Sequence, residues 1–145
     1  MLENQGIDLM KSLDFSRLSD FIDKKWDESA LPSLSEFIEI PALSPSFDSD
    51  WEENGYLDAA IETFISWVKS LPLERTSVSV HRLSGRSPVL LVTIDGDAAG
   101  EILFYSHLDK QPEATGWSEG TGPWKHLVED NWLYGRGRVD DGYGG

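Results

Sequence analysis

The sequence predicts an α/β fold in which helices come first and a mixed β-sheet follows. Apolar residues recur at helical spacing as far as Leu71, and the period then changes to the alternating and continuous apolar runs of strands. An apolar content of 39% with six tryptophans in 145 residues is enough for a folded core. One domain is expected over residues 1–145, of layered α/β or α+β architecture.

Each element has its own signature. Residues 16–30 read as a first helix, with Ser16 as the cap and Leu18, Phe21, Ile22 and Trp26 at helical spacing. Pro32 suits the first turn of a second helix over residues 33–40, which Pro41 helps to end. Residues 41–50, rich in Pro, Ser and Asp, form a loop. A third helix over residues 51–71 places Leu57, Ile61, Phe64, Ile65 and Val68 on one face, with Pro72 marking its end.

Residues 76–83 alternate as a half-buried strand does, and residues 84–87 make a turn. Residues 88–94 are apolar almost throughout, which predicts a strand buried on both faces. After a turn at residues 95–100, residues 102–106 are expected to form a second buried strand. Residues 110–132 are polar, aromatic and rich in turn formers, a long loop of the kind that carries active-site apparatus. Within it a short strand pair is expected around residues 126–128 and 132–134, turning at residues 129–131.

Composition excludes several functions. A net charge of −14 argues against nucleic acid as a partner, because phosphate binding needs basic surface. With no cysteine there are no disulfides and no thiolate ligands, so any metal must sit on His, Asp or Glu. The start, Met1-Leu2-Glu3-Asn4-Gln5-Gly6, has no basic segment followed by an apolar run, so no signal peptide is expected. No window approaches the roughly 20 apolar residues of a membrane helix. A cytoplasmic protein without a membrane partner is the expectation.

Two places carry chemistry. His107 and Asp109 are two residues apart at the end of an expected strand, so both side chains can face one site. Asp140 and Asp141 are adjacent in a loop crowded by Gly135, Gly137, Gly142, Gly144 and Gly145. Adjacent carboxylates repel, and a cation can hold both in a desolvated site. Taken alone, the first pair also fits a structural histidine at a strand end, and the second a solvated acidic turn. His81 reads as solvent-exposed, and His126 could approach a substrate from the long loop. Ser106 lacks a Gly-x-Ser-x-Gly elbow, and Gly135-x-Gly137 lacks the third glycine of a dinucleotide site. Trp117, Trp124 and Trp132 are expected to pack beneath the loop.

His107-Leu108-Asp109-Lys110-Gln111-Pro112 and then Leu133-Tyr134-Gly135-Arg136-Gly137-Arg138-Val139-Asp140-Asp141-Gly142 together resemble the first two motifs of the M20 metallopeptidases. The likeness is greatest to dipeptidase and carnosinase-like members, and Gly122-Pro123-Trp124 lies between the motifs as it does there. It covers residues 101–145. The resemblance implies hydrolysis of dipeptides or short peptides by a two-zinc centre, with Mn²⁺ or Co²⁺ suited to similar ligands.

By the same resemblance, His107 and Asp140 are metal ligands and Asp109 is the catalytic-site carboxylate that orients His107. Asp141 and Gly142 support the loop, with a cis peptide after Asp140. Many members carry Lys where this chain has Gly142-Tyr143, a departure that bears on substrate preference. The glutamate base, the remaining ligands and a later dimerising domain belong, in the family, to positions after Gly145. The chain is therefore expected to be the N-terminal portion of the catalytic domain, inactive alone, with a homodimer formed through the later domain. The alternative is a truncated, inactive remnant acting as a folded or interaction module.

Overall fold

The computed structural model describes residues 14–138. By their contacts they belong to two compact units, one ending at Pro32 and the other beginning at Ser33.

In the first unit, helix α1 (Phe15–Lys25) leads into a π-helical stretch, Trp26–Ala30. Asp14, not Ser16, is the cap: its side chain accepts the Arg17 backbone N–H at 3.2 Å. A carboxylate there meets both an orphan donor and the positive end of the helix dipole. The π turn has a local cause in Pro32. Proline cannot donate to the carbonyl four residues back, and its ring crowds that carbonyl. Widening the preceding turn, with the Leu31 N–H reaching the Trp26 carbonyl, carries the chain into Pro32 without that conflict. Leu18, Phe21, Ile22 and Trp26 keep their helical spacing but are exposed.

Helix α2 (Leu31–Glu39) buries Ser33, Leu34, Phe37 and Ile38, an i, i+1, i+4, i+5 set that lies on one face. The expected helix over residues 51–71 is two helices, α3 (Trp51–Asn54) and α4 (Tyr56–Ser70). Gly55, at φ 68°, stands between them in the left-handed conformation that ends the first. From α4, Leu57, Ala60, Ile61, Ile65 and Val68 are buried. Phe64 is half-buried, edge-on to Trp67 with ring centroids 5.6 Å apart. The core gathers Leu34, Phe37, Ile38, Ala42, Leu57 and Ala60, and Ile40, Trp51, Leu108 and Leu133 pack against it.

Strands β1 (Thr76–His81) and β2 (Val89–Ile94) form an antiparallel hairpin whose register pairs Val78 with Val92 and Val80 with Leu90. Those four share the half-buried face, so the alternation expected for β1 is present. The expectation that β2 is buried on both faces is corrected: Val89 is 60% and Leu91 46% exposed. A two-stranded sheet covers one face, and an apolar run does not by itself supply a second layer.

A second hairpin joins β3 (Leu127–Glu129) to β4 (Trp132–Tyr134), with Glu129 opposite Trp132. Its two-residue loop, Asp130-Asn131, has φ of 50° and 64°, the left-handed pair that matches the twist of the flanking strands. The architecture is thus α/β, helices followed by small antiparallel sheets.

The buried strand expected at residues 102–106 is not formed. Ile102, Leu103, Phe104 and Tyr105 are 80–87% exposed, and residues 101–109 carry no ladder. Apolar side chains fit a strand, but a strand exists only where another lends its backbone groups. Pairing begins at Lys110, in an isolated parallel bridge to Leu43. Among the described residues no helix is long and apolar enough to cross a membrane.

Candidate functional site

Leu108 seats the first motif. It packs against the core between the two residues of interest, so His107 and Asp109 flank an anchored position and are each about one-third exposed. The imidazole folds back on its own motif. His107 Nδ1 lies 3.0 Å from Asp109 Oδ1 and 2.9 Å from the Asp109 carbonyl oxygen. Both neighbours are acceptors, so in the neutral ring Nδ1 holds the hydrogen and donates it. Nε2 then keeps its lone pair. A carboxylate holding one ring nitrogen while the other is a donor is the arrangement that prepares a histidine to ligate a metal.

Lys110, the next residue, is fully buried. Its backbone is locked between two neighbours: its N–H donates to the Ala42 carbonyl at 2.8 Å, and its carbonyl accepts from the Ser44 N–H at 2.9 Å. Its ammonium donates to the carbonyls of Phe37 at 2.5 Å, Ile40 at 2.6 Å and Ile38 at 3.3 Å. These are carbonyls at and just beyond the C-terminal turn of α2, where those of Phe37 and Ile40 also accept the backbone N–H groups of Ile40 at 3.1 Å and Ala42 at 2.8 Å. Three N–H groups therefore meet three carbonyls at the negative end of a helix dipole. The rings of Phe37 and Trp124, at 4.0 and 5.4 Å from Nζ, add their electron-rich faces. Burying a charge without such partners would be prohibitive. The sequence marks Lys110 only as part of the motif, and a lysine two residues after the apolar anchor Leu108 was the available signal.

The second motif is seated by Leu133 of β4, also packed on the core. Gly135 and Gly137 follow with φ of 143° and 82°, both buried. These glycines were expected to let the loop close around a ligand; in the structure their close approach is to the protein's own core. A Cβ at Gly135 would lie 2.4 Å from Ile38 Cγ2, and one at Gly137 would lie 2.8 Å from Lys110 Cε. Between them, the Arg136 N–H donates to the Pro123 carbonyl at 2.8 Å. Its Nε donates to the carbonyls of Pro112 and Gln111 at 3.0 and 3.3 Å. The two motifs are thereby tied to one another through residues 110–112.

Asp140, Asp141 and Gly142 lie outside the described residues. Of the expected site residues the structure brings together His107 and Asp109. Among the described residues no group of three His, Asp or Glu is arranged to hold a metal ion.

The other candidates have structural partners. His126 Nδ1 lies 2.9 Å from Glu39 Oε1 at the end of α2. His81 is exposed, with Nε2 3.1 Å from Ser79 Oγ. Trp117 and Trp124 are half-buried in the long loop, their indole N–H groups donating to Ala114 O and Glu113 Oε1 at 2.7 and 2.6 Å. Trp132 departs from expectation: on the short β4, opposite Glu129, it is 63% exposed.

No established family profile matches the chain. It is 26% identical over 118 residues to an uncharacterized metallohydrolase of Methanocaldococcus jannaschii, a match covering 79% of this chain and 28% of that protein. The chain spans little more than a quarter of the length of the relative it matches. The likeness is thus to a metal-dependent hydrolase, with neither metal nor substrate specified.

Proposed function

We propose that this chain supplies the first ligands of a dinuclear, M20-type hydrolase that cleaves amide bonds in dipeptides or short peptides. The observation that carries the reading is the His107–Asp109 pair, in which Asp109 occupies Nδ1 and leaves Nε2 as the donor. The likeness to a metallohydrolase supports it from a separate direction.

In this reading His107 and Asp140 bind zinc, with Mn²⁺ or Co²⁺ as substitutes. Asp109 fixes the imidazole tautomer and its orientation. Asp141 and Gly142 shape the loop that presents Asp140. When bound, such a metal pair supplies Lewis acidity toward the scissile carbonyl and acidifies a water. The chain's own contribution is to hold a neutral imidazole in one orientation. A short peptide is the proposed partner, the cytoplasm the proposed location, and a homodimer the proposed assembly of the whole protein.

Zinc binding by the chain, followed by calorimetry, and dipeptide hydrolysis by the native gene product test the reading. His107→Ala should lower zinc affinity about 10-fold or more, the order seen when even the partners of metal ligands are lost. Asp140→Ala should abolish hydrolysis with the fold retained. Unchanged affinity and undiminished turnover would sink the assignment. A chain that melts cooperatively with no response to zinc would instead be a folded module without catalysis.

A further inference from the structure

Lys110 touches both motifs. Its backbone follows Asp109, its ammonium holds the Phe37, Ile38 and Ile40 carbonyls, and its aliphatic stem forms the surface on which Gly137 rests. An ideal Cβ at Gly137 would lie 2.8, 3.0 and 3.1 Å from Lys110 Cε, Cδ and Cγ, so the loop lies along the whole stem. A helix cap alone needs only the ammonium, whereas this side chain is used along its length.

We infer that Lys110 is a positioning residue. Its charged end is fixed to the C-terminus of α2 and its stem seats the Gly135–Gly137 turn, so one side chain sets the place of His107–Asp109 and of that turn. The contacts explain why the fold accommodates a buried lysine at this point. A fixed ammonium locates the stem, the stem locates Gly137, and the Lys110 backbone, bonded to Ala42 and Ser44, locates the adjoining Asp109. The inference rests on the proposed metal-facing role of His107 only for why that placement matters.

The test is the imidazole tautomer of His107, read from its ¹⁵N resonances. The native chain should show one Nδ1–H tautomer. Lys110→Met keeps the length of the stem and removes its charge; Gly137→Ala keeps the ammonium and its carbonyls, crowds the stem and strains the turn at φ 82°. Each should move the His107 Nε2 resonance toward the average of two tautomers. His126, bonded to Glu39 at the end of α2, is the internal control. If Lys110→Met shifts His126 and the α2 amides but leaves His107 unchanged, Lys110 is a helix cap and the inference fails. Should Lys110→Met not fold, Gly137→Ala decides alone, and an unmoved His107 resonance in that variant overturns the proposal. Failure of the metal reading is distinguishable, because it would appear as zinc affinity indifferent to His107→Ala with the tautomer result intact.

Discussion

Replacing Gly135 by alanine tests how the second motif is seated. The new methyl would stand 2.4 Å from Ile38 Cγ2 and 3.2 Å from its Cδ1, and Ile38 has no exposed surface into which to retreat. Overpacking of this kind costs about 1–3 kcal/mol. The backbone adds its own penalty, since φ of 143° belongs to a region that side chains with a Cβ rarely enter, worth about 1–3 kcal/mol. Together they predict a loss of about 2–6 kcal/mol, a large share of a typical domain's stability. Urea unfolding followed by tryptophan fluorescence would read this as a midpoint lower by about 1–4 M at an m value of about 1.5 kcal/mol/M. Gly85→Ala separates the terms. Gly85 has φ of 71° and nothing within 4 Å of the added methyl, so its loss should be only the backbone penalty of about 1–2 kcal/mol. The clash itself is with Cγ2. The Gly135→Ala penalty should therefore shrink in an Ile38→Ala background, which removes that methyl, and persist in Ile38→Val, which retains it. A penalty no larger than that of Gly85→Ala, or one indifferent to Ile38→Ala, would refute the steric account.

Three further outcomes follow from other parts of the molecule. Asn131→Gly should stabilise the β3–β4 hairpin by up to about 1 kcal/mol, because φ of 64° is strained for asparagine and free for glycine; an unchanged melting temperature would count against it. Asp109→Asn preserves shape but weakens the hold on His107 Nδ1, and zinc affinity should fall about 10–100-fold in titration calorimetry. Phe104→Lys interrupts four consecutive apolar residues that are 80–87% exposed. It should reduce self-association in analytical ultracentrifugation, and equal sedimentation of both chains would show that this segment is not the adhesive surface.

Much of the fold was legible along the chain because its causes are local. Pro32 and Pro41 bracketed α2, apolar spacing marked the buried positions of α4, alternation marked β1, and residues 129–131 marked a turn between two short strands before any contact was known. His107 and Asp109 were legible as a pair because two residues of extended chain point one way, and the structure adds the bonds between them. Asp140 and Asp141 stood out by composition and lie outside the described residues. Where reading along the chain failed, the cause was a neighbour. Gly55 divided a helix that periodicity ran together, and Asp14 capped α1 where Ser16 was equally eligible. Residues 102–106 have the side chains of a strand, but no spacing rule supplies the hydrogen-bonding partner that makes one.

By itself the sequence determined the order of helices and strands, the absence of thiol chemistry and the residues available to a metal, since these follow from side-chain type and local period. Only the tertiary structure decided that Lys110 is buried on the end of α2 and that Gly135 and Gly137 are small to admit Ile38 and Lys110 rather than a ligand. Those facts join residues from about 30 to about 100 positions apart, and a close approach between distant segments is a property of packing that no local pattern encodes.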